Sequence, residues 1–200
     1  EAEAEGLVFA ALLARQAELT DLSEQWIRIV EEKHAREPGI LSFLVNIGRG
    51  PEFEAELTRL DGSALSLPED LKGKVVVIDF WASWCAPCIR ALPKLRQLYD
   101  RYQTQGVEFV GISLDRPGMR DNLRSFVKEK RMDWIQTYSG QYWEDPTAQK
   151  YGVRAIPSVW VIRKNGKIFM PNAGNNLQAA IEKALEEPYP ASQMQAAPEG

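Results

Sequence analysis

The sequence has few of the residues that metal sites and disulfide scaffolds are built from. Of its 200 residues, two are cysteine and one is histidine. A structural zinc site needs four clustered ligands. Cys85 and Cys88 have only His34 to join them, far upstream in a helical segment and read as a surface position, so no metal is expected. A copper chaperone is disfavoured because Cys85-Ala86-Pro87-Cys88 brings no neighbouring His or Met, and peroxiredoxin chemistry would need a peroxidatic cysteine in a different setting. Two cysteines this close cannot staple a fold. Positive charge is not in excess either: 24 Lys and Arg stand against 28 Asp and Glu, a net charge of −4, with the basic residues scattered. That disfavours nucleic acid as a partner. Long apolar runs are missing, since Leu7 to Ala14 is about half of the roughly 18 residues a membrane-spanning helix needs. With no basic n-region and cleavage site, the chain as given is expected to be soluble, any signal peptide or anchor having been removed or never present.

What is present is enough for one ordinary core plus an arm, at 44% hydrophobic content. Glu1 to Glu5 is an alternating tract set aside from fold reasoning. From Leu7 to Arg36, Leu12, Leu19, Leu22, Trp26, Ile29 and Val30 recur at helical spacing, which predicts one amphipathic helix, or two with a break capped by Thr20 or Asp21. Pro38-Gly39 is expected to end it, a helical turn or two follows over Ile40 to Ile47, and Gly48 to Pro51 reads as a linker. The arm is expected to pack either on the domain or on a second copy, forming a dimer through residues 1–50.

Beyond the linker the pattern becomes strand-like. Phe53 to Leu60 and Ala64 to Leu67 flank Asp61-Gly62 as a hairpin. Val75 to Phe80 is a β-branched run suited to a strand buried on both faces. A helix follows to about Gln105, kinked at Pro93 and stopped by Gly106. Val107 to Ser113 completes a strand-helix-strand unit, hence a parallel pair, and the class is α/β. Then come a helix near Met119 to Lys130, a short strand at Trp134 to Thr137, a small helix at Ala148 to Tyr151, a hairpin turned by Asn165-Gly166 as type I′, and a last helix from Leu177 to Glu187. The expected organisation is a helical arm over 1–50, a domain over 51–187 and a disordered tail over 188–200.

The dicysteine carries the chemistry. Disulfide exchange needs a thiolate, and a free cysteine has a pKa of about 8.5. Cys85 at a helix N-terminus meets unpaired amides and the positive end of the helix dipole, which assigns it as the nucleophile. Cys88, one turn on and expected to be the more buried, resolves the mixed disulfide. Ala86-Pro87 occupies the first turn, where proline costs no hydrogen bond, and tunes the redox potential. Asp79 is a carboxylate in an apolar strand. Burial would raise its pKa and let it exchange protons with Cys88; the alternative is a solvated or Lys-paired side chain.

The stretch Val77 to Cys88 resembles the active-site region of the thioredoxin superfamily. Gly73-Lys74, Ser113-Leu114-Asp115, the inserted helix and strand, and Tyr151 to Pro157 resemble its TlpA/ResA-type thiol-disulfide oxidoreductases, over about Phe53 to Glu187. The resemblance implies a thioredoxin-like fold with an N-terminal β-hairpin and a central α/β insert. It also implies an enzyme that needs no cofactor, a bacterial extracytoplasmic setting (periplasmic or membrane-tethered), protein disulfides or dithiols as substrates, and a membrane or soluble thiol donor. It implies a cis bond before Pro157 opposite the dicysteine, with the Ile156 backbone exposed to pair with an extended substrate, and Trp84 on the substrate face. Trp81 is expected to support the helix from the core side and Trp134 and Trp160 to be core. Tyr142-Trp143 forms either a lip over the site or a packed loop. Many such relatives carry Glu three residues after the second cysteine, where this chain has Ala91, so any relay through that Glu is absent. The competing function is a docking or chaperone module acting through the arm, against which the intact Cys85, Cys88, Asp79 and Pro157 speak.

Overall fold

The computed structural model describes residues 2–35 and 37–189. The chain forms two compact units, one up to Pro51 and one from Glu52. Of the expected tail, all beyond Tyr189 lies outside the described residues; the Tyr189 ring lies close beside Gly73.

The first unit is three helices, α1 (Ala2–Gln16), α2 (Thr20–His34) and α3 (Pro38–Asn46). Its core joins Ala4, Ala11, Ile27, Val30, Ile40 and Leu44, and this corrects the helical face expected from spacing. Leu12, Leu19 and Leu22 stay exposed, together with Phe9 and Leu13. Alanines on α1 let α2 approach closely, and the Ser23 hydroxyl donates to the Ala11 carbonyl at 3.1 Å. The Glu-Ala tract is helical from Ala2, in keeping with the strong helix propensity of both residue types. The break falls before Thr20, with Glu18 at φ +61, and α2 starts from Leu19 with no side-chain cap from Thr20 or Asp21. Pro38 opens α3 instead of closing the preceding helix, because its missing N–H costs nothing at a first helical position.

The second unit carries the hairpin β1 (Ala55–Thr58) and β2 (Ala64–Leu67) and a five-stranded sheet. The sheet order is β5 (Ile135–Tyr138), β4 (Val107–Ser113), β3 (Val75–Trp81), β6 (Ser158–Ile162), β7 (Ile168–Met170). β3, β4 and β5 are parallel, while β6 and β7 run antiparallel to their neighbours. The helices are α4 (Ala86–Tyr102), α5 (Arg120–Glu129), α6 (Pro146–Lys150) and α7 (Leu177–Glu186). Every residue of β3 is buried, as its β-branched run requires. Val75, Val77 and Trp81 pack with Cys88, Leu92 and Leu95 of α4 and Leu177 and Ile181 of α7. On the alternate residues, Phe80 meets an aromatic cluster of Phe53, Tyr151 and Trp160. α4 runs through Pro93 without ending. Among the described residues no helix is long and apolar enough to cross a membrane.

The turn at Asn165-Gly166 is not type I′. Gly166 alone takes a positive φ, +81, and its N–H bonds the Arg163 carbonyl at 2.9 Å while Arg163 N–H bonds the Lys167 carbonyl at 2.8 Å. This is a three-residue loop ending in a left-handed glycine. The Asp61-Gly62 loop repeats it with Arg59, Gly62 and Ser63. In each, an Asp61 or Asn165 side-chain oxygen caps the backbone N–H two residues on, a local bond that takes the place of a second positive φ.

Candidate active site

The apolar run of β3 ends at Trp81, and the chain turns over Ala82 to Trp84 into α4. Cys85 sits at the N-cap with extended backbone, φ −85 and ψ 94, and is disulfide-bonded to Cys88 with the Cα atoms 5.3 Å apart. The Cys88 N–H donates to the Cys85 sulfur at 3.2 Å. An unpaired helix-start amide therefore already points at the atom that carries negative charge once the disulfide is reduced. The same sulfur lies 3.7 Å from the Ile156 carbonyl oxygen, a contact without a proton in the oxidised state. Both cysteines are buried, at 4% and 3% exposure, so the greater burial expected for Cys88 amounts to that small difference. Ala86 and Pro87 are exposed in the first turn.

Of the other predicted residues, Ile156 comes against this pair through its carbonyl. The Ile156–Pro157 bond is cis, with Ile156 half-buried and Pro157 exposed. Trp84 is 46% exposed. Asp79 shares the face of β3 that carries Val77 and Trp81, the side covered by α4. It is buried, its Oδ1 has no hydrogen-bond partner, and burial pushes its pKa up to about 7. The solvated or Lys-paired alternative does not hold. Ala91 is half-buried on α4, and His34 bonds Glu37 within the first unit at 2.7 Å. Trp81, Trp134 and Trp160 are core. Tyr142 and Trp143 lie against Trp84, half-buried.

Two groups shape the site with no role assigned to them from sequence. Asp115, buried just past β4, accepts the Ser83 N–H at 2.9 Å, the Ser83 hydroxyl at 2.6 Å and the Ser113 hydroxyl at 2.9 Å. It thereby fastens the turn that precedes Cys85. Gln136 on β5 accepts the Trp81 indole N–H at 3.0 Å across the middle strand β4. That crossing is open only because the intervening residue is Gly111: a Cβ there would run into Gln136 Oε1 and stand 2.9 Å from Trp81 Nε1. Asp115 follows an apolar strand, and that is its one local signal. The Gln136–Trp81 pair has a sequence separation of 55 and no local signal at all.

A dithiol at a helix N-cap, a cis-proline loop against it and a buried carboxylate on the preceding strand define a thiol-disulfide exchange protein of thioredoxin-like fold. Comparison with known proteins gives the family. The Redoxin family profile matches residues 48–185, and the chain belongs to that family. It is a TlpA/ResA-like thiol-disulfide oxidoreductase of the thioredoxin superfamily. It is 32% identical over 140 residues to the thiol-disulfide oxidoreductase ResA of Geobacillus thermodenitrificans, covering 70% of this chain and 76% of the relative. To ResA of Bacillus anthracis it is 30% identical over 135 residues, covering 67% and 74%. Among solved structures, a thiol-disulfide oxidoreductase from Bacteroides fragilis superposes with a TM-score of 0.60 at 25% identity, covering 66% of this chain and 98% of that one. A putative thiol:disulfide interchange protein DsbE from Chlorobium tepidum gives 0.60 at 27% identity, covering 68% and 96%.

Proposed function

We propose that this protein reduces disulfides of other proteins outside the cytoplasm, with Cys85 attacking, Cys88 resolving and Asp79 handling the proton. The Cys85 thiolate attacks one sulfur of the substrate disulfide, forming a mixed disulfide and expelling the other sulfur as a thiolate. Cys88 then gives its proton to the Asp79 carboxylate, directly or through water, and attacks Cys85 Sγ. This closes the observed Cys85–Cys88 bond and releases the second substrate thiolate. Two electrons pass to the substrate, and a dithiol donor protein returns them by the reverse exchange.

The observation that carries this reading is the Cys85 sulfur, which accepts the Cys88 N–H at 3.2 Å and faces the Ile156 carbonyl at 3.7 Å. An extended substrate segment pairing with the Ile156 backbone would bring its own sulfur to that point. The reductive direction, like the setting, rests on the resemblance to TlpA/ResA-type proteins, since the amide at Cys85 stabilises the thiolate while the buried Asp79 disfavours further negative charge on that side of the strand. The extracytoplasmic setting rests on the resemblance to TlpA/ResA-type proteins. Insulin reduction with dithiothreitol tests the chemistry: turnover above background that is lost in Cys85→Ser supports it, and none in the wild type refutes it. Equilibration with glutathione tests the direction, with a potential near −270 mV, roughly that of thioredoxin, expected and one near −120 mV contradicting it.

A further inference from the structure

Most aromatic contacts in the second unit include a buried ring, but one cluster lies at the surface beside the reactive cysteine. Trp84, Tyr142 and Trp143 touch pairwise, with ring centroids 5.4, 6.2 and 6.0 Å apart. Their planes are inclined by 51°, 61° and 71°, so no two rings stack. Trp84 is 46% exposed, and the other two are half-buried.

The segment that brings Tyr142 and Trp143 there is held firmly. Asp145 caps α6 by accepting the Thr147 and Ala148 N–H groups at 3.0 and 2.9 Å, and it also accepts the Ser139 hydroxyl at 2.6 Å. The Gln149 side chain donates to the Trp143 carbonyl at 2.6 Å. Tyr142 takes φ +55, a left-handed conformation that costs a tyrosine roughly 1 kcal/mol or more. The ring touches both Trp84 and the Arg116 guanidinium, which lies 5.2 Å from its centroid. A strained residue on a braced loop presents its ring at the site without further ordering, so binding loses little entropy there.

We propose that Trp84, Tyr142 and Trp143 form a specificity platform for a large apolar side chain, aromatic above all, carried by the substrate within two residues of its target cysteine. This rests on the reading that Cys85 attacks substrate disulfides. Trp84 directly precedes Cys85, about 3.8 Å along the backbone, and an extended substrate advances about 3.3 Å per residue. A side chain one or two positions from the substrate sulfur therefore reaches the rings. Arg116 behind Tyr142 sets a cation against Lys or Arg in that place.

The test is single-turnover oxidation of the reduced full chain by two peptides. Each holds one cysteine as a mixed disulfide with glutathione and differs only in having Trp or Gly two residues before it. The Trp peptide should react about tenfold faster, equivalent to about 1.4 kcal/mol. In Trp143→Ala and Tyr142→Ala the ratio should fall below threefold. Circular dichroism of each reduced variant under assay conditions is taken with the rates, because an unfolded fraction exchanges with both peptides alike and pulls the ratio toward one. Equal rates in the wild type, or a ratio that survives both substitutions, overturn the platform alone. Failure of both peptides and of insulin to oxidise the wild type overturns the oxidoreductase reading and the platform with it.

Discussion

Asp79→Asn should make the protein more stable at neutral pH and slower at resolving its mixed disulfide. Asp79 is fully buried, with one carboxylate oxygen unpartnered, and burial raises its pKa from 3.8 to about 7. The native state thus holds this proton more tightly than the unfolded chain does. The stability it contributes is fully present below about pH 4 and is lost as pH rises through about 7, beyond which the loss is complete. A shift of about three units corresponds to about 4 kcal/mol at 1.36 kcal/mol per unit. Asparagine keeps the shape and removes the charge, but it buries an amide whose N–H groups lack acceptors, at a cost of about 1–3 kcal/mol. The change in the mutant-minus-wild-type difference between pH 4 and pH 8 cancels that constant cost, and it should be about 4 kcal/mol in favour of the mutant. Urea unfolding of the oxidised full chain at half-unit pH intervals measures it. A difference that does not vary with pH, or that varies in the opposite sense, would refute the burial argument. In the reduced mutant, the mixed disulfide with a peptide should persist at least tenfold longer at pH 7, by quenching and mass spectrometry, if Asp79 is the proton acceptor.

Other outcomes follow from the two groups that brace the site. Gly111→Ala puts a methyl group against Gln136 and Trp81; it should break their hydrogen bond and lower stability by about 2–3 kcal/mol in urea titration. Gln136→Leu in the same background should recover part of that loss, because it removes the polar group the methyl displaces. Asp115→Ala leaves the Ser83 N–H and two hydroxyls without their acceptor and should cost about 3 kcal/mol. It should also shift the glutathione equilibrium, since the turn before Cys85 is no longer fastened; an unchanged potential would show that Asp115 supports only the fold.

The local elements of the second unit were readable because their causes are local. The β-branched run of Val75 to Phe80, the amphipathic spacing of α4 and the glycine at 106 each specify conformation through neighbours a few residues apart. The helical arm was read less well for the same reason. Spacing pointed to Leu12, Leu19 and Leu22, but close packing between α1 and α2 is decided by small side chains, and Ala4 and Ala11 carry no hydrophobic signal strong enough to show it. An Asn-Gly pair suits more than one turn, and at Asn165 the choice depends on the register of β6 against β7.

Residue order alone specifies a single dithiol at the start of a helix, after a strand bearing one carboxylate. The order of residues is enough to state that much, because a helix N-terminus acts on whichever side chain caps it. The folded chain supplies what surrounds the sulfurs. It buried both cysteines alike and set the Ile156 carbonyl against Cys85 from 71 residues away. It also tied Ser83 to Asp115 and gathered Tyr142 and Trp143 onto Trp84. Those contacts come from strands and loops brought together by sheet order, and no local pattern along the chain encodes which of them will meet.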